Sequence, residues 1–293
     1  MLQFQELVPL GPKTTMRIGG KARFYAELAT KADCEEAHAF ARSKKYPLVV
    51  LGGGSNTIFA DGIIEALVVR IAASNMQVEG NTVSAEAGKN LAQLVNELAE
   101  HNLDLSPLTG IPGTIGGAVF GNAGQGFGGP WIDHYIRTVE VFSGGTWQTF
   151  ERPELGFAYR HSPFKEMGAV VIWSITLDIP ARSKAEVQAE VERLLKKRIE
   201  TQPHVKTAGS CFVSLPDGTP AWKVIDAAGM RGKKVGGVQI SEKHANFLIS
   251  EKGASFADAR KLVEEVQRVV GARHGVPLHV EMRFMESGGK TAF

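Results

Sequence analysis

The stretch "VVLGGGSNTIFADG" (49–62) sets three consecutive glycines between an apolar run and a group of short polar side chains. Val49, Val50 and Leu51 read as a buried strand. Gly52, Gly53 and Gly54 then free the backbone for positive φ and for close approach by another group. With Ser55, Asn56 and Thr57 following, the turn suits an anion held by a nest of backbone N–H groups. The competing reading is a tight turn that closes a strand. Two standard phosphate loops are excluded. A P-loop needs Gly-x-x-x-x-Gly-Lys-Ser/Thr, and no lysine follows. The dinucleotide fingerprint Gly-x-Gly-x-x-Gly finds Gly52 and Gly54, but Thr57 stands at its third glycine and Asp61 comes too early to meet a ribose.

A second stretch, "LTGIPGTIGGAVFGNAGQGFGG" (108–129), brings Gly110, Gly113, Gly116, Gly117 and Gly121 at short intervals. Pro112 stiffens its entry, and Thr114 and Asn122 carry groups that can donate to phosphate oxygens. Backbone so rich in N–H and so poor in bulky side chains can lie flat against a large planar ligand. The alternative is a mobile lid, since long loops in compact domains are usually functional or disordered. Cys34 and Cys211 lie far apart and make no metal-ligand pattern. Neither a metal site nor a disulfide framework is expected, which fits a reducing compartment.

These loops must be held by a folded scaffold, and the composition supplies one. A chain of 293 residues, 43% hydrophobic and 22% charged, has the makeup of a soluble globular protein of about two domains. A net charge of +2 excludes the basic stripe of a nucleic-acid binder. The N-terminus lacks a basic region followed by an apolar core, and no apolar run nears the roughly 20 residues of a membrane span. A cytoplasmic protein with no membrane partner is expected; no oligomeric state is assigned.

Along the chain, "FYAELA" (24–29), "PLVVLGG" (47–53) and "ALVVRI" (66–71) read as strands, with a helix over "KADCEEAHAFARSKK". The strand "NTVSAEAG" and the helix "KNLAQLVNELAEHN" precede the long glycine-rich loop 109–130. Strands "TVEVFS", "TWQTF" and "VVIWSITLDI" follow, the first two joined by a Gly144-Gly145 hairpin turn. A helix capped by Ser183 and Glu186 shows an apolar face of Val187, Val191, Leu194 and Leu195 and ends at Pro203. "PAWKVIDAAG" is a short helix closed by Gly229, and Ser255 with Asp258 opens a longer one. The segments divide as 1–72, 73–200 and 201–293.

The motifs "TTMRIGG" (14–20), "LGGGSNTIFADG" (51–62) and "TGIPGTIGGAVFGNAG" (109–124) resemble those of the UDP-N-acetylenolpyruvoylglucosamine reductases, flavoenzymes of bacterial cell-wall precursor synthesis. The likeness continues through "YRHSPFK" (159–165), "TAGSCF" (207–212), "AAGMRGKKVGGVQISEKHANFLIS" (227–250) and "GVPLHVEMRF" (275–284), in family order and over nearly the whole chain. The resemblance implies an α+β protein: an FAD-binding domain of the vanillyl-alcohol-oxidase type, made of two α/β subdomains (1–72 and 73–200), and a C-terminal α+β substrate-binding domain (201–293). Both glycine loops then wrap FAD. The implied contacts are Arg17; Gly52, Gly53, Gly54, Ser55 and Asn56; and Gly110, Ile111, Pro112, Gly113, Thr114, Gly116, Gly117, Asn122 and Ala123.

The implied reaction reduces the enolpyruvyl double bond of UDP-N-acetylglucosamine enolpyruvate to give UDP-N-acetylmuramate, with NADPH reducing the flavin and the flavin N5 passing hydride to the C3 methylene. By motif, Arg160 faces the substrate carboxylate as charge builds, a role its planar fork suits. Ser210 matches the family's proton donor to C2. Glu281 matches its catalytic acid, which burial would keep protonated. Tyr159, Lys233, His244 and Asn246 fall in motifs that line the substrate site.

The chain also departs from the family. Val213 and Ser214 stand where a Phe-Lys-Asn-Pro run is common, and Gln125 replaces a frequent alanine. No tyrosine-bearing insertion follows "YRHSPFK", which is similar to the shorter subclass. Two rival readings remain: a flavin oxidase of a small alcohol on the same scaffold, and a non-catalytic UDP-sugar or flavin binding protein.

Overall fold

A computed structural model describes residues 1–126 and 129–292 of the chain. Of the second glycine-rich stretch, Phe127 and Gly128 lie outside the described residues. The chain forms two compact units, each discontinuous in sequence. One comprises Met1–Gln5, Tyr25–Gly53 and Leu67–Arg198; the other comprises Glu6–Phe24, Gly54–Ala66 and Ile199–Phe293. One four-stranded sheet has the order Gln5–Pro9, Lys21–Leu28, Ile63–Ile71 and Leu48–Val50.

The first unit carries a five-stranded antiparallel sheet, ordered Met76–Glu79, Thr82–Glu86, Val170–Asp178, Ile136–Ser143 and Thr146–Glu151. Gly144 (φ 61) and Gly145 (φ 90) make the hairpin between the last two, in the left-handed conformation such a turn demands. The helix Leu91–Glu100 buries Leu91, Leu94, Val95 and Leu98, the face its apolar spacing predicts. On the helix Lys184–Thr201, Val187 and Leu194 are buried but Leu195 is 40% exposed. One helical step of about 100° carries Leu195 past the edge of the apolar stripe.

The stretch 109–130 is not one long loop. Residues Ile115–Gly121 form a helix with Thr114 as N-cap, its hydroxyl accepting from Gly117 N–H at 3.3 Å, and Asn122 (φ 44) as a left-handed C-cap. Glycine density hides this helix from a propensity reading. Packing explains the glycine at 116: a Cβ there would stand 2.7 Å from the Ala87 Cβ.

The second unit has a four-stranded antiparallel sheet ordered Thr207–Ser210, Phe247–Ser250, Val238–Ile240 and Lys234–Val235. The helix Phe256–His274 buries Leu262, Val263, Val266 and Val270 in a core shared with Met16, Ile58, Phe212, Ile225, Leu248 and Phe284. Ser255 and Asp258 form its capping box, as their spacing predicts, and Gly275 (φ 68) closes it. Asp61, too early for a ribose contact, accepts from Phe256 N–H at 2.8 Å at the same helix start. The apolar run after residue 47 stops at Val50, and Thr57–Phe59 forms a separate strand parallel to Arg283–Met285.

Candidate functional site

Within the first unit the two glycine stretches meet backbone to backbone. A Cβ on Gly53 would lie 2.6 Å from Gly113 Cα, and one on Gly52 would lie 3.0 Å from the Thr114 hydroxyl. The second stretch is pinned by Leu91 N–H donating to Gly113 O (3.0 Å) and Ile115 N–H donating to Lys89 O (2.9 Å). Gln125 ties its ends together, donating to Pro107 O at 2.8 Å and to Thr109 O at 3.4 Å. The residue that departs from the family pattern is therefore a staple across the loop. Ala123 is paired on both sides, its N–H to Ala118 O and its carbonyl to Ile132 N–H, each at 2.8 Å. Ile111 donates to Leu108 O at 3.3 Å beside an exposed Pro112, and Gly117 is exposed.

Thr109 supplies a test of cofactor fit. Its side chain is 3% exposed, and among the described residues its hydroxyl has no hydrogen-bond partner. Buried hydroxyls normally have one. A buried hydroxyl without a partner among the described residues, next in sequence to Gly110, fits a ligand rich in hydrogen-bonding atoms, as FAD is.

Asn122 does not keep its amide for phosphate. Fully buried, it donates to Ala158 O at 2.8 Å and accepts from Asp133 N–H at 3.3 Å. It thereby fastens the turn bearing Tyr159 and Arg160 to the C-terminus of the helix Ile115–Gly121. Arg160 has φ 53 and donates to Gly124 O at 2.8 Å and to Asn122 O at 3.5 Å. Its guanidinium carbon lies 5.6 Å from the Tyr159 ring centroid, within cation–π range.

Arg198 was not singled out by sequence, because an arginine in "KKRIE" reads as a solvated helix face. Its stem lies against the second glycine stretch: a Cβ on Gly110 (φ 72) would stand 2.5 Å from Arg198 Cδ. Burial pushes its pKa below the usual arginine value, and the Arg160 charge adds to the effect. The signal in the sequence was Gly110 itself, whose missing side chain admits the arginine.

In the second unit, Gly54 (φ 65) packs on "KTT": a Cβ there would meet Lys13 O at 2.3 Å. Thr15 N–H donates to Gly54 O at 3.0 Å. Arg17 is exposed, has φ 60 and gives its guanidinium to Pro12 O. Ser55 and Asn56 continue the turn, and Asn56 Nδ2 donates to Glu281 O at 3.1 Å.

The segments that carry Ser210 and Glu281 pair through their backbones in this unit. Ser210 ends its strand opposite Phe247. The next residue, Cys211, accepts from Glu281 N–H at 2.8 Å, and Phe212 bridges Val280. Val213 N–H donates to His279 O at 3.0 Å. The Cys211 thiol is fully buried, and burial, with the Glu281 charge second, pushes its pKa well above the usual value. It stays protonated and inert. Asn246, 6% exposed, bonds both ends of its amide to the Phe212 backbone. Lys233 pairs with Glu265 at 2.8 Å. His244 accepts from Asn246 N–H through Nδ1 at 3.2 Å and packs against Phe247 at a centroid distance of 4.7 Å. Burial, then the Arg231 charge, lower its pKa.

Comparisons with known proteins find relatives along nearly the whole chain. The family profile "FAD binding domain" matches residues 22–150, and "UDP-N-acetylenolpyruvoylglucosamine reductase, C-terminal domain" matches residues 201–285. A UDP-N-acetylenolpyruvoylglucosamine reductase of Paramagnetospirillum magneticum is 37% identical, the match covering 94% of this chain and 89% of that protein. One from Lactobacillus acidophilus is 33% identical over 97% of this chain and 95% of its own length. Among solved structures, the crystal structure of UDP-N-acetylenolpyruvylglucosamine reductase from Thermus caldophilus matches with TM-score 0.83 and 31% identity, covering 97% of this chain and 99% of that one.

Proposed function

The chain belongs to the UDP-N-acetylenolpyruvoylglucosamine reductases, and from that premise we propose how its own residues carry the reaction. It is an FAD-dependent oxidoreductase that reduces UDP-N-acetylglucosamine enolpyruvate to UDP-N-acetylmuramate for peptidoglycan synthesis, with NADPH as reductant. When bound and reduced by NADPH, FAD would supply hydride to the C3 methylene of the enolpyruvyl group.

The remaining work falls to the protein. As C3 is reduced, electron density builds at C2 and in the adjoining carboxylate. Arg160, held by the Gly124 and Asn122 carbonyls, presents a fixed cation to that carboxylate; preorganised charge of this kind is often the largest catalytic term. Ser210 delivers a proton to C2. A hydroxyl is a weak acid, but a C2 carbanion is a strong base. Glu281, which must first take up a proton to act as an acid, then hydrogen-bonds the enolate-like oxygen. The backbone bond from Glu281 N–H to Cys211 O, one residue from Ser210, is the observation that carries this pairing of roles.

In this reading residues 1–72 and 73–200 serve the cofactor, apart from Tyr159 and Arg160, and residues 201–293 serve the substrate. Gly52, Gly53, Gly110 and Gly113 offer backbone to the FAD, with the Thr109 hydroxyl as a further contact. Tyr159 and His244 serve the substrate. We place the reaction in the cytoplasm; among the described residues no helix is long and apolar enough to cross a membrane.

Anaerobic half-reactions test the proposal. The purified chain should be yellow, bleach with NADPH and recover its colour with the enolpyruvyl substrate. Ser210→Ala should keep the first step and slow the second by about 10²–10⁴-fold. A chain that takes up no FAD defeats the reading. Rapid reoxidation by dioxygen with no response to the enolpyruvyl ether would indicate an oxidase, and bound flavin without turnover would indicate a binding protein.

A further inference from the structure

The strand pairing between Thr207–Ser210 and Phe247–Ser250 ends at Ser210, opposite Phe247. The next residue on each side is Cys211 and Asn246, and here a side chain continues the ladder. Asn246 Oδ1 accepts from Phe212 N–H at 3.0 Å, and its Nδ2 donates to Phe212 O at 2.8 Å. The Asn246 carbonyl accepts from Cys211 N–H at 2.8 Å. On its other edge the same segment is held by 279–281: Cys211 O accepts from Glu281 N–H at 2.8 Å, and Val213 N–H donates to His279 O at 3.0 Å. The dipeptide after Ser210 is thus clamped between Asn246 and the segment that carries Glu281.

We propose that Asn246 is a positioning residue for Ser210 and Glu281, not a substrate ligand. The inference rests on the reading of those two residues as proton donor and acid. Both polar ends of the Asn246 amide are engaged by main chain, and the side chain is 6% exposed. An amide is required because one flat group must accept from an N–H and donate to a carbonyl at once. A carboxylate keeps the first bond and turns the second into repulsion. A hydroxyl is too short to span both. Misplacement by about 1 Å can slow a reaction on the order of 10²-fold, so the clamp acts on the rate of proton delivery and leaves the affinity for substrate alone.

The test uses the FAD-loaded protein and measures the two half-reactions separately for N246D, N246S and S210A. For N246D at alkaline pH, reoxidation by saturating enolpyruvyl substrate should slow by about 10²-fold, with unchanged substrate dissociation constant and unchanged flavin reduction by NADPH. Acidification should restore the rate, because the introduced carboxyl, once protonated, again donates to Phe212 O. His244 and Cys211 bond directly to Asn246, and Glu281 bonds to Cys211; these titratable residues are present in the parent, whose pH profile is the control. N246S should show the slowing without the recovery. A raised dissociation constant with a parent-like limiting rate makes Asn246 a substrate ligand and overturns the inference. Equal losses in both half-reactions, or a parent-like N246D at every pH, also overturn it. Parent-like reoxidation by S210A would instead remove the proton-donor reading beneath it.

Discussion

Asn56 and Glu281 are joined by backbone capture: Asn56 Nδ2 donates to Glu281 O at 3.1 Å, while Asn56 O accepts from Arg283 N–H at 2.9 Å. The polar tail of the first glycine turn therefore holds the segment that bears the proposed acid. Asn56→Ala should cost about 1 kcal/mol of stability, the usual worth of one such bond, and should slow substrate-driven flavin reoxidation more than it weakens FAD binding. Urea titration and single-turnover reoxidation measure the two effects; a loss confined to FAD affinity would contradict the link.

Gly53 and Gly117 separate packing from ligand contact. Gly53→Ala drives a Cβ to 2.6 Å from Gly113 Cα, where backbone cannot step aside. Overpacking of this kind costs about 1–3 kcal/mol, so both thermal stability and FAD affinity should fall. Gly117 is exposed on the helix Ile115–Gly121, and a Cβ there meets Thr114 Oγ1 at an ordinary 3.5 Å. Gly117→Ala should stabilise the apoprotein by about 0.5–1 kcal/mol yet weaken FAD binding. Unchanged flavin affinity in G117A would move the cofactor off this face.

Thr109→Val removes the buried hydroxyl that has no partner among the described residues. The apoprotein should be as stable as the parent or more so, since an unsatisfied buried polar group is costly. FAD affinity should drop by about 1 kcal/mol, roughly fivefold, the value of a typical hydrogen bond. Flavin fluorescence on titrating the apoprotein gives the answer, and equal affinities would show that no cofactor atom meets this hydroxyl.

His244 gives the stability a pH dependence of known sign. Burial and the Arg231 charge hold its pKa below the usual 6.5, and its Nδ1 must stay unprotonated to accept from Asn246 N–H. The unfolded chain therefore takes up the proton first. This contribution is complete above about pH 6.5 and is lost as pH falls toward the folded-state value. Urea midpoints measured across that window should decline in the parent and be flatter in His244→Gln; parallel curves would assign the decline to other groups.

Much of the local structure was legible. Ser255 with Asp258, Ser183 with Glu186, and Gly144-Gly145 each specify a cap or a turn through partners a few residues apart. The helix Ile115–Gly121 was not, because it carries Gly116, which packs on Ala87, together with Gly117 and Gly121, and glycine has the poorest helix propensity after proline. Lys233, expected to meet substrate, pairs with Glu265. Asn122 and Asn246, expected to meet cofactor and substrate, bond the backbone around Arg160 and Ser210. A sequence presents the chemistry of an amide; it does not say which neighbour the amide finds.

By itself the sequence determined the glycine-rich turns, the order of the family motifs and hence the reaction class, because those depend on residue type and short-range backbone geometry. Tertiary structure alone decided that Gly53 abuts Gly113, that Arg198 lies on Gly110, and that Thr57–Phe59 pairs with Arg283–Met285. It also decided that Asn246 stands beside the proposed proton donor's strand. These partners are distant along the chain, and what selects them is the burial of apolar surface together with the pairing of backbone polar groups, which act across the whole fold and which no short segment encodes.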